Sequence, residues 1–170
     1  SLSIEESWGR IKHEPKQEFM TMIGHDDLFD PSFLSVIHGL IETDPGAGLY
    51  QTGSRLIDAR GGTIRSSKAV PRRETAAEYL EARLTFQRDV FGTGYVMRSA
   101  AYDHLGGIPA FERLFFADDT LWMRLIRGSW KRSNPSEAFS VRLHPESESA
   151  SVPRLWPSFV LGLEQFAGFL

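Results

Sequence analysis

The chain contains no cysteine. It therefore forms no disulfide, offers no thiolate to a metal ion, and has no cysteine nucleophile. Any metal ion must be bound by carboxylate, imidazole or water ligands, and this donor set suits Mg2+ or Mn2+. The absence of cysteine narrows the protein ligands of a metal ion to Asp, Glu and His.

Long apolar runs and an excess of one charge are also missing. No apolar run approaches the roughly 20 residues that cross a bilayer, and no signal peptide is visible. The 19 Lys and Arg residues face 22 Asp and Glu residues, and the net charge of −3 offers no general attraction to nucleic acid. The 170 residues show no internal repeat and are enough for one domain with an ordinary core.

The most informative stretch runs from Glu18 to Pro31. A short apolar run, Glu18–Ile23, predicts a buried strand that breaks at Gly24, and Asp30-Pro31 predicts the start of a helix. Asp26 and Asp27 lie between the two elements. Ligands of open α/β sheets bind at the carboxyl ends of strands, so two acids at this position suit a metal or phosphate site. The alternative is that they only form a turn and cap the helix.

Periodicity and capping patterns predict alternating helices and strands elsewhere. A capping box at Ser3 and Glu6 predicts a helix from Ile4 to about Lys12. The other predicted helices are Pro31 to about Asp44, Glu74–Arg88, Asp118–Gly128 and Leu155–Leu170. The other predicted strands are Ala47–Thr52, a hairpin over Arg55–Arg65, Tyr95–Met97, Trp130–Arg132 and Ala138–Leu143.

Four segments in this order resemble glycosyltransferase family 2. They are Gly24–Leu34, Gly92–Arg98, Phe116–Leu125 and Val141–His144, and the resemblance covers roughly Glu14 to Ser151. It implies an α/β fold, a partial GT-A mixed sheet flanked by helices, of the type found in nucleotide-diphospho-sugar transferases. We expect a partial catalytic domain over 1–154 and a C-terminal amphipathic helix over 155–170.

The resemblance also implies a donor site at the acidic loop. In the family, this loop binds a divalent cation, Mn2+ or Mg2+, and the diphosphate of a nucleotide-diphosphate sugar. The matching residues are Asp26 and Asp27, while Gly24 stands where the family's common Asp-x-Asp-Asp pattern has its first Asp. Arg142 and His144 match a later Arg-x-His element that contacts phosphate or metal. As a lone His, His144 is equally well explained as an ordinary surface residue.

A second acidic pair provides the expected base. By resemblance, Asp119, preceded by Asp118, is the candidate general base that deprotonates an acceptor hydroxyl in an inverting transfer. Acids also stabilise a first helical turn through the macrodipole, which is the structural alternative. The expected acceptor-site residues are Gly92, Thr93, Gly94, Arg98 and Trp122.

The expected partners follow from the same resemblance. They are a nucleotide sugar and a carbohydrate or lipid-linked acceptor, with no nucleic acid. No base-binding strand and helix units precede Ser1, so we expect the chain to correspond to the catalytic C-terminal portion of a longer enzyme and to be inactive alone. An open sheet edge predicts a homodimer. The expected location is the cytoplasm, with residues 155–170 contacting the inner membrane face or a further segment of the protein.

Two other functional classes remain open at this stage. A non-catalytic carbohydrate- or protein-interaction module would keep the fold without binding a donor. A metal-dependent phosphohydrolase would release phosphate from a nucleotide sugar without an acceptor, but the additional His and Asp ligands typical of such enzymes are not apparent.

Overall fold

The structure, a computed structural model, describes residues 3–144 and 155–170. The helices are α1 (Ile4–Gly9), α2 (Phe33–Thr43), α3 (Ala76–Leu84), α4 (Ser99–His104), α5 (Ala117–Ile126) and α6 (Trp156–Phe169), with 3-10 turns at Arg10–His13 and Glu112–Leu114. The strands are β1 (Phe19–Thr21), β2 (Leu28–Phe29), β3 (Leu49–Ile57), β4 (Thr63–Ser66), β5 (Arg73–Glu74), β6 (Tyr95–Arg98) and β7 (Lys131–Arg142).

The seven strands form one mixed sheet flanked by helices. Its main path runs β1-β6-β3-β7-β2, with β4 paired to β3 and β5 paired to β7. The long central strands β3 and β7 are parallel, and every other pair is antiparallel. The predicted fold class, a mixed α/β sheet with flanking helices, is therefore confirmed.

Two core clusters cover the two faces of the sheet. Adjacent residues of one strand belong to different clusters because strand side chains alternate between the two faces. Leu49 and Tyr50 of β3 are an example. Helix α2 packs on one face through Phe33, Ile37 and Leu40. Helices α3 and α5 pack on the other, where Trp122 is fully buried.

The central strands are longer than the sequence predicts. The separate strands expected on either side of Pro135 form the single strand β7, and Ala47–Thr52 continues into the hairpin as β3. The register between them shifts at Gly53, where a Cβ atom would lie 2.5 Å from the carbonyl oxygen of Pro135. The prediction of two short strands is wrong because this bulge accommodates the proline without ending the strand.

Helix α1 lies near the start of the chain and helix α6 near its end. The capping box at Ser3 and Glu6 is confirmed, and it begins helix α1. Helix α6 packs through Phe166, whose ring stacks on Phe116 with centroids 5.5 Å apart.

The expected domain boundary at residue 154 and the last seven residues of the family resemblance, 145–151, lie outside the described residues. Within residues 3–144 and 155–170, no helix is long and apolar enough to span a membrane.

A close approach at Gly48 fixes the position of helix α5, and we expect a Gly48→Ala substitution to destabilise the protein. A Cβ atom there would lie 2.0 Å from the backbone oxygen of Leu125, which cannot rotate away. We expect a loss of about 1–3 kcal/mol in the free energy of unfolding, measured by urea denaturation.

Gly39 provides the matched control for this substitution. It lies inside helix α2, and a Cβ atom added there would meet no other atom within 4 Å. Gly39→Ala is expected to stabilise the protein by roughly 0.5–1 kcal/mol, since alanine favours helix. Equal effects of the two substitutions would contradict this packing at Gly48.

Candidate functional site

One cavity of about 630 Å³ is lined by both the acidic loop and the start of helix α5. Its charged lining residues are His25, Asp26, Asp27, Arg142 and His144 around the acidic loop, and Arg83, Asp118 and Asp119 from helices α3 and α5. Its remaining wall is mostly apolar, with side chains from α1, from residues 114–116 and from α6. The structure thus brings the two predicted acidic pairs to one cavity, although 91 residues separate Asp27 from Asp118 in the sequence.

Asp27 joins three separated parts of the chain. Its Oδ2 accepts a hydrogen bond from Thr93 Oγ1 at 2.8 Å, and its Oδ1 accepts one from the backbone N–H of Arg142 at 3.1 Å. These bonds hold the acidic loop between the turn before β6 and the end of β7. Thr93, expected at the acceptor side, therefore contacts the acidic loop directly.

Asp26 is paired with His144 across the same loop. Its Oδ2 lies 2.7 Å from His144 Nε2, and both side chains are about one-quarter exposed. Desolvation acts to raise the pKa of Asp26, but the hydrogen bond with His144 and the nearby histidine charges outweigh it and leave the pKa below its usual value. The structure thus brings these predicted donor-site residues into direct contact.

Gly24 explains how both carboxylates fit into a short loop. A Cβ atom at Gly24 would lie 2.8 Å from Asp27 Oδ2 and 3.1 Å from Asp26 Oδ1. Both carboxylates therefore turn back over this residue. An Asp at position 24, as in the common family pattern, would crowd them in this arrangement.

Arg142 binds backbone rather than an acidic side chain. Its Nε donates to the carbonyl oxygen of Asp26 at 2.9 Å, and its Nη1 donates to those of Asp58 and Ala59 at 2.9 and 3.2 Å. These bonds tie the acidic loop to the β3–β4 turn. Arg142 therefore places a positive charge at the cavity and fixes the shape of the loop.

The residue types of the acidic loop, carboxylate and imidazole, are ones that can bind a divalent cation. In the described part of the chain, no group of three or more His, Asp or Glu residues is arranged to hold a metal ion. Mg2+ sites commonly use one or two protein carboxylates and complete their coordination with phosphate and water. Asp26 and Asp27 supply carboxylates of the kind such a site uses, while Asp26 Oδ2 is hydrogen-bonded to His144 Nε2 in this structure.

Both acids of the second pair line the cavity, and Asp118 is the more exposed of the two. It is half-buried, and its Oδ2 would lie 3.6 Å from a Cβ atom at Gly92, so the glycine leaves space beside it. Burial, followed by the negative charge of Asp119, raises the pKa of Asp118 to about 7. A carboxyl with this pKa can accept a proton efficiently near neutral pH.

Asp119 occupies a different environment from its neighbour. Its side chain is 2% exposed, and its carboxylate accepts hydrogen bonds from Tyr79 Oη at 3.0 Å and Arg83 Nε at 3.1 Å. The family resemblance makes Asp119 the first candidate for the general base. The carboxylate oxygens of Asp119 accept these bonds, whereas Asp118 is the more exposed acid of the pair.

Three residues expected at the acceptor site do not line the cavity: Gly94, Arg98 and Trp122. Arg98 pairs with Glu18 at 2.5 Å and stacks over Phe19 at the edge of the sheet. Trp122 is fully buried, and its Nε1 donates to the backbone oxygen of Phe91. Residues 92 and 93 do line the cavity, whereas Gly94 packs against the ring of Phe139.

The apolar wall includes a backbone segment that the sequence did not indicate. Arg113, Leu114 and Phe116 all have positive φ values, 49°, 58° and 60°. Non-glycine residues in this conformation are costly and persist where surrounding structure imposes them. Helix α6 provides such a contact, since Gly162 lies so close that a Cβ atom there would be 2.6 Å from Phe115 Cβ.

Comparisons with known proteins support the fold. No protein-family model matches this sequence, and no curated protein matches it. Among solved structures, the crystal structure of S. aureus TarS residues 1–349, a glycosyltransferase structure, is similar with a TM-score of 0.58 and 11% sequence identity. The match covers 93% of this chain but 50% of that chain. The fold is therefore glycosyltransferase-like, and the chain spans about half the length of the TarS structure.

Proposed function

We propose that this chain carries the catalytic portion of a glycosyltransferase that moves a sugar from a nucleotide-diphosphate sugar to an acceptor hydroxyl. The observation that carries the proposal is that two distinct acidic pairs line one cavity. Asp26 and Asp27 come from the acidic loop, and Asp118 comes from the first turn of helix α5. The similarity of the fold to a glycosyltransferase structure supports the same assignment.

The acidic loop forms the donor side in this proposal. Asp26 and His144 would hold a divalent cation, Mn2+ or Mg2+, with Asp27 beside them and the donor diphosphate completing the site. The bound cation would supply positive charge for the leaving diphosphate. Arg142 and Thr93 hold the loop in this conformation through their hydrogen bonds to Asp26 and Asp27.

Asp118 is the proposed base on the acceptor side. As the acceptor oxygen forms its bond to the anomeric carbon and the bond to the diphosphate breaks, the hydroxyl proton passes to the Asp118 carboxylate. An acceptor that approaches from the face opposite the leaving group gives inversion at the anomeric carbon. The presence of Asp118 in the same cavity as the acidic loop supports this course.

Other features of the resemblance are part of the same proposal. Membership of family 2 and a hexosyltransferase activity in polysaccharide or cell-envelope synthesis agree with the order of the acidic segments. Dimerisation through a sheet edge and contact of residues 155–170 with a membrane or another segment also remain predictions. A carbohydrate- or lipid-linked acceptor would enter beside the apolar wall formed around Phe116.

Calorimetric titration tests the donor site. We expect Mn2+ followed by UDP-glucose, UDP-N-acetylglucosamine or GDP-mannose to give saturable heat with at least one donor. The double variant Asp26→Ala, Asp27→Ala should lose this heat, because it removes both carboxylates of the acidic loop. Asp103→Asn is the matched control, since Asp103 is half exposed on helix α4 and pairs with Lys16.

The same titration distinguishes the other functional classes. Unchanged donor binding in the double variant would contradict the proposed donor site. So would an absence of donor binding both in this chain and in a chain extended at its N-terminus. Binding of a free sugar without the nucleotide would favour an interaction module. Release of inorganic phosphate from the nucleotide sugar without an acceptor would favour a phosphohydrolase.

A further inference from the structure

Two residues of helix α3 hold the carboxylate of Asp119 inside the protein. Tyr79 Oη donates to Oδ1 at 3.0 Å, and Arg83 Nε lies 3.1 Å from each carboxylate oxygen. Tyr79 and Arg83 are four residues apart, so they lie on one face of the helix. Tyr79 is fully buried, whereas the Arg83 side chain is 27% exposed and also lines the cavity.

Packing alone does not account for this ion pair. A carboxylate removed from water must be compensated by a cation and by hydrogen bonds. Apolar residues of similar volume can often replace a buried ion pair without loss of stability. The position of the pair suggests a second role, because Asp119 directly follows the cavity-facing Asp118 in the first turn of helix α5.

Asp118 lies among several charged and titratable groups. A neighbouring negative charge makes a carboxylate harder to ionise, and a neighbouring positive charge makes it easier. On its own helix, the neighbouring charge is Asp119. The packed elements add Tyr79 and Arg83 on α3, Tyr95 on β6 and Arg113 in the segment before α5. The other titratable groups around the cavity are His25, Asp26, Asp27, Arg142 and His144. Asp119 is adjacent to Asp118 in the chain, and its charge is compensated directly by Arg83.

We propose that Asp119 and Arg83 form a positioning pair that sets the proton affinity of Asp118. Asp119 supplies a fixed negative charge beside Asp118, and Arg83 limits the effect of that charge. The pair itself does not contact the reacting atoms. The inference rests on the proposed function for its catalytic meaning, but the charge coupling can be measured without any sugar transfer.

The two members of the pair predict opposite effects. Asp119→Asn removes the negative charge while keeping the shape, so the pKa of Asp118 should fall by about one pH unit or more. Arg83→Gln removes the positive charge, so the pKa of Asp118 should rise by a similar amount. Arg83→Lys keeps the charge and should return the pKa of Asp118 most of the way to that of the parent chain.

The titration is read from the carboxyl carbon of Asp118 by 13C NMR on the folded chain without ligand. The resonance is assigned by its disappearance in Asp118→Asn. Arg65→Gln is the control, because Arg65 forms a similar two-bond pair with Asp89 at 2.8 and 2.9 Å that does not line the cavity. This control should leave the pKa of Asp118 unchanged.

A purely structural ion pair would give a different result. Loss of either partner would then loosen the packing of α3 on α5, admit water, and move the pKa of Asp118 downward in both variants. Shifts in the same direction, or no shift in either variant, would overturn the inference. If the shifts are opposite but Asp118→Asn retains sugar transfer, the charge coupling stands and the proposed function fails.

Discussion

Asp118→Asn is expected to lower sugar transfer by the intact enzyme about 10²–10⁴-fold, because asparagine keeps the shape of the side chain but cannot accept a proton. The half-buried Asp118 is the more exposed acid of its pair, whereas the Asp119 side chain is 2% exposed. The measurement is release of nucleoside diphosphate from the donor in the presence of a panel of aryl glycoside and lipid phosphate acceptors. Donor binding by calorimetry should remain close to that of the parent protein.

The pH dependence gives this prediction a second readout. Burial and the charge of Asp119 raise the pKa of Asp118 to about 7, and only the ionised carboxylate can act as a base. We therefore expect kcat/KM to increase with pH and to level off above about pH 7 to 8. Asp103→Asn, the exposed control, should keep both the rate and the profile. A variant at Asp118 that retains more than about a tenth of the rate would contradict its role as base.

Glu74→Gln is expected to reduce the free energy of unfolding by about 3–5 kcal/mol, because it leaves two buried cations without their counterion. The carboxylate of Glu74 accepts hydrogen bonds from Arg88 at 2.5 and 2.6 Å and lies 2.8 Å from Lys131 Nζ. Exposure is 0% for Lys131 and 4% for Arg88. Urea denaturation measures the loss.

The lysine in this network predicts how the loss depends on pH. Burial lowers the pKa of Lys131 to about 8, despite the opposing effect of Glu74. A neutral lysine no longer requires a counterion, so the difference between parent and Glu74→Gln should shrink as pH rises from about 7 to 9. Glu18→Gln is the matched control, since its exposed pair with Arg98 should contribute less than about 1 kcal/mol. A similarly small effect of Glu74→Gln would contradict a tightly compensated buried network.

Local patterns predict much of the fold. The capping box at Ser3, the strand before the acidic loop and the helix that begins near Asp118 all follow from residues close together in the sequence. The long strands β3 and β7 do not follow in this way, because Pro135 normally signals the end of a strand. Their pairing depends on a bulge at Gly53, which is a property of two distant segments.

The site is predicted in outline but not in its orientation. Adjacent residues of a helix point in directions about 100° apart, so the pattern Asp118-Asp119 alone does not reveal which acid faces a ligand. The answer depends on Tyr79 and Arg83, which lie 40 and 36 positions before Asp119. The full burial of Trp122, expected at the acceptor side, is unpredicted for a similar reason, since packing rather than sequence spacing decides it.

The position of bound Mn2+ tests most directly whether one cavity holds both the donor and the base. Paramagnetic broadening of backbone NMR signals would be recorded with Mn2+ and the donor that gives the strongest calorimetric signal. We expect broadening centred on Asp26, Asp27 and His144, extending across the cavity to Asp118, and absent in the Asp26→Ala, Asp27→Ala variant. Broadening centred elsewhere, or equal broadening in that variant, would contradict a donor site facing Asp118.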